Sequence, residues 1–132
     1  MPQDHVVRLR RAYERPTPAD GCRVLVDRFW PRGLRRDEAR IDEWLRDLAP
    51  SNRLRGWFGH RPERWVEFRR RYRRELDGRT DELDQLLALV DEGPVTLVFA
   101  TADEQHNNAV VLHELVEERL PSSLGASIAK DN

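Results

Sequence analysis

Val24, Leu25 and Val26 form an unbroken apolar run that passes directly into Asp27-Arg28-Phe29-Trp30-Pro31-Arg32-Gly33. Such a run suits a strand covered on both faces. Pro31 has no amide to give to a ladder and restricts the residue before it, so the strand is over by Trp30. Gly33 admits a turn closed to other residues. A strand over 22–29 therefore delivers Asp27, Arg28, Trp30 and Arg32 to one of its ends, where open α/β sheets keep their binding crevices.

The remaining periodicities supply partners for that strand. A second buried run covers 95–100 and exits into a loop over 101–106, while 6–10 alternates as a shorter strand with Val7 and Leu9 on one face. Ile41, Trp44, Leu45 and Leu48 recur at i, i+3, i+4 and i+7, which predicts an amphipathic helix over 41–48. Ser51 is a natural N-cap for a helix over 52–58. Trp65, Phe68, Tyr72 and Leu76 predict a helix over 63–76, and Leu83, Leu86, Leu87 and Val90 one over 80–91, stopped by Gly93-Pro94. Val110, Val111, Leu115 and Val116 predict the last, over 107–120, and a single helical turn is expected over 34–39. The pattern describes an α/β fold, a single domain over 1–120 with a small, mainly parallel sheet of about three strands flanked by about five helices. Residues 121–132 read as a frayed tail. With parallel strands, Tyr13, the 27–32 segment and the 101–107 segment converge on one rim.

Size and charge narrow the class. At 132 residues, 39% hydrophobic and 36% charged, the chain has the length for one proper core under a heavily ionised surface. No apolar run approaches the roughly 20 residues of a membrane span. The N-terminal Met-Pro-Gln-Asp-His lacks the order of a secretory signal, and the single cysteine, Cys22, excludes an internal disulfide. Together these predict a cytoplasmic protein, monomer or homodimer. Residues 1–75 hold 20 arginines against 12 acids, and the remainder 3 basic residues against 12 acids. Either the basic half attracts a phosphate or carboxylate, or the two halves neutralise each other across the fold. In the 63–76 helix the aromatics and arginines occupy different faces. The arginines read as a solvated or acid-paired face, with a nucleic-acid surface as the alternative.

The candidate site follows from residue types. Arg28, Arg32 and Arg55 carry planar guanidinium forks suited to phosphate or carboxylate. Trp30, Trp44 and Trp57 either build the core or wall a pocket. For Arg28 and Arg32 the competing expectation is an ion pair with Asp42 or Glu43. Asp27 is either a carboxylate bonded to turn amides or an arginine, or a general base raised by burial. His60, in a Gly-His-Arg-Pro turn, is the histidine best suited by type to acid–base work. Thr101 and Asn107, with Tyr13 and Ser51, complete the ligand-binding set, Asn107 being equally suited to cap a helix. Adjacent strand residues leave opposite faces, so Asp27 and Arg28 share a cleft only where the backbone twists. The four histidines have no zinc spacing, and no glycine-rich phosphate loop is present, so no metal and no cofactor is expected. Catalytic groups are plausible, but no triad, metal cluster or cofactor motif organises them. The leading expectation is an anionic small-molecule binder, and the alternative a nucleic-acid-binding accessory factor.

The order Asp27-Arg28-Phe29-Trp30-Pro31-Arg32-Gly33, Asp42-Glu43-Trp44, Ala49-Pro50-Ser51, Arg55, Trp57-Phe58, Phe68, Tyr72, Glu75-Leu76 and Asn107-Ala109 resembles the domain of unknown function 488 family, in its YeaO-like branch, over about 6–120. The resemblance implies an α/β fold and a bacterial cytoplasmic protein, with no agreed biochemical role. The family often shows Asn-His-Ala at the start of the last helix, whereas this chain reads Asn107-Asn108-Ala109. A role needing an imidazole at Asn108 therefore does not carry over.

Overall fold

A computed structural model describes residues 5–120, and the expected tail at 121–132 lies outside them. Strands β1 (Val7–Arg11), β2 (Cys22–Leu25), β3 (Glu43–Trp44) and β4 (Val95–Phe99) form one parallel sheet in the order β1-β4-β2-β3. The chain runs outward through β2 and β3 and then returns to place β4 in the gap between β1 and β2. Every residue of β4 is buried, as expected of a central parallel strand covered on both faces. Val95 lies opposite Val7 on one side and Cys22 on the other, so the exits of β1, β2 and β4 share one rim.

Five helices accompany the sheet: α1 (Arg36–Ala39), α2 (Asn52–Phe58), α3 (Trp65–Asp77), α4 (Thr80–Glu92) and α5 (Asn108–Arg119). Helices α2–α5 pack on one face, where Val24, Val26, Leu97 and Phe99 meet Phe58, Tyr72, Leu86 and Leu112 in one cluster. The opposite face has thinner cover, with Leu25 and Val98 under Trp30, Leu34, Ile41 and Trp44. A buried ion pair anchors that side: the Asp20 carboxylate accepts Arg23 Nη1 at 2.7 Å and the Thr17 amide and hydroxyl at 3.1 and 2.9 Å. Both charged side chains are 2% exposed. Burial pushes the Asp20 carboxyl up, but the bonds from Thr17 and Arg23 prevail and hold it below its ordinary value.

The segment 41–48 corrects the sequence reading. It is β3 followed by a short 3-10 turn, Arg46–Leu48, and not an amphipathic helix. The free edge of β2 captures it: the Asp42 and Leu45 amides donate to the Arg23 and Leu25 carbonyls at 2.8 and 2.9 Å, and the Arg23 amide donates to the Asp42 carboxylate at 2.8 Å. Ile41 and Trp44 then face one cluster while Leu45 and Leu48 face the other. A helix would have put all four on one side. The sheet therefore has a fourth strand, and α1 takes the place of the predicted 41–48 helix in the count of five.

The arginines of α3 are largely engaged by acids. Arg69 reaches Glu114 at 2.7 Å and Arg73 reaches Glu118 at 2.6 Å, joining the basic front of the chain to its acidic back. Arg70 and Arg71 together hold the Glu67 carboxyl down at about 2.

Candidate functional site

The rim at the strand exits encloses a cavity of about 580 Å³. Its construction begins where β2 ends. The Val26 amide still donates to the Val98 carbonyl at 3.2 Å, but the backbone then bends, so the strict alternation of a strand stops. Asp27 and Arg28, expected on opposite faces, consequently line the same cavity. Asp27 stitches the two central strands together, its Oδ2 accepting the Ala100 amide at 2.9 Å. On the other side of β4, Arg11 Nε donates to the Ala100 and Thr101 carbonyls at 2.9 and 3.1 Å.

Nine of the twelve residues singled out from the sequence line this space. Arg28, Arg32 and Arg55 contribute the charge, and among the described residues none of them forms an ion pair. The alternative pairing of Arg28 or Arg32 with Asp42 or Glu43 is thus not what the structure adopts, because Asp42 is held by the Arg23 amide at the far end of β2. Arg28 Nη2 sits 3.5 Å from the Ala49 carbonyl, at the limit of a hydrogen bond, and its Nε is buried with no partner among the described residues. Tyr13 donates its hydroxyl to the Arg32 carbonyl at 2.7 Å, and Trp30 its indole N–H to the Leu34 carbonyl at 2.6 Å. His60 follows Gly59 in a left-handed turn, with φ of 58° and 55°, which brings the chain from α2 back past the cavity. Thr101 accepts the Asp103 amide at 3.4 Å. Asn107 caps α5, its Oδ1 accepting the Val110 amide at 3.0 Å and its Nδ2 donating to the Asp103 carbonyl at 2.8 Å, which leaves its side chain little to offer a ligand.

Ser51, Trp44 and Trp57 lie away from the cavity, each for a physical reason. Ser51 caps α2 by accepting the Leu54 amide at 3.1 Å and gives its own amide and hydroxyl to Glu75 at 2.8 and 2.6 Å. Trp44 stands behind the site, donating to the Asp27 carbonyl at 2.7 Å and meeting Trp30 edge-on at 5.6 Å. Trp57 packs half-buried against the main core cluster, between the guanidinium groups of Arg64 and of Arg71 on α3 at 5.1 and 4.5 Å.

Phe29, His106 and Asn108, not singled out from the sequence, also line the cavity. Phe29 is 58% exposed at the mouth, with Arg55 5.0 Å over its ring. Its alternation with Trp30 offers no clue to that exposure, which arises from the bend after β2. His106 Nδ1 lies 3.0 Å from Asp103 Oδ2, and its ring meets Trp65 edge-on at 5.3 Å. Asn108 donates to the Val26 carbonyl at 2.9 Å and sits beside both the Asp27 carboxyl and the Tyr72 hydroxyl. Burial pushes the Asp27 carboxyl above its ordinary value, and the Ala100 amide, Asn108 and the Arg55 charge offset this only in part. The cavity thus combines a cationic rim with a buried floor where a carboxyl and an amide are held side by side. Among the described residues no group of three or more His, Cys, Asp or Glu side chains could hold a metal ion, and no helix is long and apolar enough to cross a membrane.

Comparison with known proteins places this architecture. Residues 6–130 match the family model described as the inactive DUF488-N3 subclade. The uncharacterised protein Rv3073c of Mycobacterium tuberculosis is 44% identical over 119 residues, which is 90% of this chain and 100% of the relative. The uncharacterised protein Mb3100c of Mycobacterium bovis matches with the same figures, 44% over 119 residues, 90% and 100%. The uncharacterised protein YeaO of Escherichia coli is 33% identical over 106 residues, covering 80% of this chain and 92% of the relative. No solved structure matches. With a family match across nearly its whole length and a YeaO relative above 30% identity, the chain belongs to the DUF488 family, in the subclade described as inactive DUF488-N3.

Proposed function

We propose that this protein binds a small anionic molecule, bearing phosphate or carboxylate, in the cavity at the strand exits. One observation carries the reading: Arg28, Arg32 and Arg55 line one cavity with no carboxylate paired to any of them among the described residues, while arginines elsewhere, on α3 and at Arg23, have found theirs. A guanidinium left without a carboxylate at a partly enclosed site is suited to a charge-assisted, bidentate bond to an anion. The buried, unpartnered Nε of Arg28 gives such an anion a donor that the chain itself does not use. The subclade's description as inactive favours binding over turnover, and the Asn107-Asn108 pair agrees with it, since Asn108 is already spent on the Val26 carbonyl.

The test is a melting-temperature titration with phosphate- and carboxylate-bearing metabolites, since a ligand that prefers the folded state raises the melting point by mass action. A shift in the wild type that disappears in the Arg28→Ala, Arg32→Ala double variant is the expected result. Both side chains lie at the rim, so circular dichroism should report an unchanged fold. An equal shift in the double variant would overturn the proposal.

A further inference from the structure

Resting on that anion-binding reading, we infer that the anion is carried on a flat, hydrogen-bonding ring, and that a nucleoside monophosphate has the chemistry and size this cavity takes. Size is the first reason. About 580 Å³ lies within the roughly 300–1,000 Å³ that encloses a drug-sized molecule, and a bare phosphate or short carboxylate would occupy a small part of it.

The second reason is the aromatic surface at the mouth. Only three large hydrophobic side chains stand exposed among the described residues, and two of them, Tyr13 at 43% and Phe29 at 58%, line this one cavity. Each ring is already held by a guanidinium, Arg11 at 4.8 Å from Tyr13 and Arg55 at 5.0 Å from Phe29. A ring fixed on one side by a cation and left in water is a platform for stacking another ring, and stacking tolerates any base because every base has a π-face. The third reason lies deeper. Asp27, whose Oδ2 takes the Ala100 amide, keeps Oδ1 as an acceptor beside Asn108, whose own Nδ2 donates to the Val26 carbonyl, and an acceptor at this depth suits the donor edge of a heterocycle. Phe58 and Phe68, stacked on each other at 4.4 Å, supply an apolar wall beside them.

Isothermal titration of the full chain with inorganic phosphate, ribose 5-phosphate, phenyl phosphate, AMP and UMP tests this. The nucleotides should bind about tenfold or more tightly than ribose 5-phosphate, and phenyl phosphate more tightly than inorganic phosphate. Phe29→Ala, at a position 58% exposed, should weaken AMP about tenfold and inorganic phosphate far less. Ribose 5-phosphate binding as tightly as AMP, or a Phe29→Ala variant with unaltered AMP affinity, would overturn the ring while leaving the anion site standing. Adenosine, titrated alongside as the phosphate-free control, binding as tightly as AMP would overturn the anion site instead, and no binding by any of the five phosphate compounds would overturn both. A short single-stranded oligonucleotide binding far more tightly than any mononucleotide would reassign the cavity to a nucleic-acid strand.

Discussion

Gly21 opens β2, the strand that carries Asp27 and Arg28 to the rim, and alanine at this position meets two penalties. Its φ of +62° with ψ of −135° is a conformation that L side chains rarely adopt, and an added Cβ would lie 2.3 Å from the Pro94 carbonyl oxygen and 2.9 Å from its carbon. That carbonyl cannot move away freely, because it accepts the Cys22 amide at 2.9 Å and so sets where β2 begins beside β4. Backbone strain contributes about 1–2 kcal/mol and overpacking about 1–3 kcal/mol, so Gly21→Ala should cost about 2–5 kcal/mol. For a chain of 132 residues, 1 kcal/mol corresponds to about 3–4 °C in melting temperature, which places the expected drop at about 6–20 °C. Two other glycines separate the contributions. Gly33 also has positive φ, +77°, but nothing lies within 4 Å of its added Cβ, so Gly33→Ala should cost only the strain, about 1–2 kcal/mol. Gly56 sits inside α2 with equally open surroundings, and Gly56→Ala should raise stability by about 0.5–1 kcal/mol. Thermal denaturation of the three variants side by side is the assay. A Gly21→Ala protein that melts no lower than Gly33→Ala would refute the collision with Pro94, and with it the registration of β2 against β4.

Three other substitutions probe the site and its support. The folded Asp27 carboxyl is raised above its ordinary value of 3.8, so its neutral form is favoured by folding, and the wild type should lose stability relative to Asp27→Asn as pH rises from about 4 through the folded value, by up to about 1.4 kcal/mol per pH unit; a melting difference constant from pH 4 to pH 8 would sink this. Tyr72→Phe removes the donor that the buried phenol gives the Leu48 carbonyl, and should cost about 1–3 kcal/mol in urea unfolding with the denaturant slope unchanged. Asp20→Ala strands the Arg23 guanidinium inside the protein and should cost about 3–5 kcal/mol, where Asp20→Ala combined with Arg23→Met should recover a measurable part of it in a double-mutant cycle.

How much of this was legible follows from the range of each interaction. The strands β2 and β4 were written in their apolar runs, and α2–α5 in a period of 3.6, because burial of one face is a repeating demand that composition records locally. Caps were equally local: Ser51 and Asn107 accept amides three residues on, so their roles needed no tertiary context. The edge strand β3 was not legible, since two residues paired to β2 leave no period, and the spacing of Ile41, Trp44, Leu45 and Leu48 satisfies a helix and a two-sided segment alike. The site shows the same division. Sequence alone determined which charged and aromatic residues leave the end of the central strand. Only the tertiary structure decided that a bend after Val26 turns Asp27 and Arg28 into one cavity, that Trp44 and Trp57 stay outside it, and that Phe29 and Asn108 belong within it. The physical reason is that direction along a strand is a property of the local chain, whereas the partner of a buried carboxyl, here an amide 73 positions away at Ala100, exists only once the strands have docked.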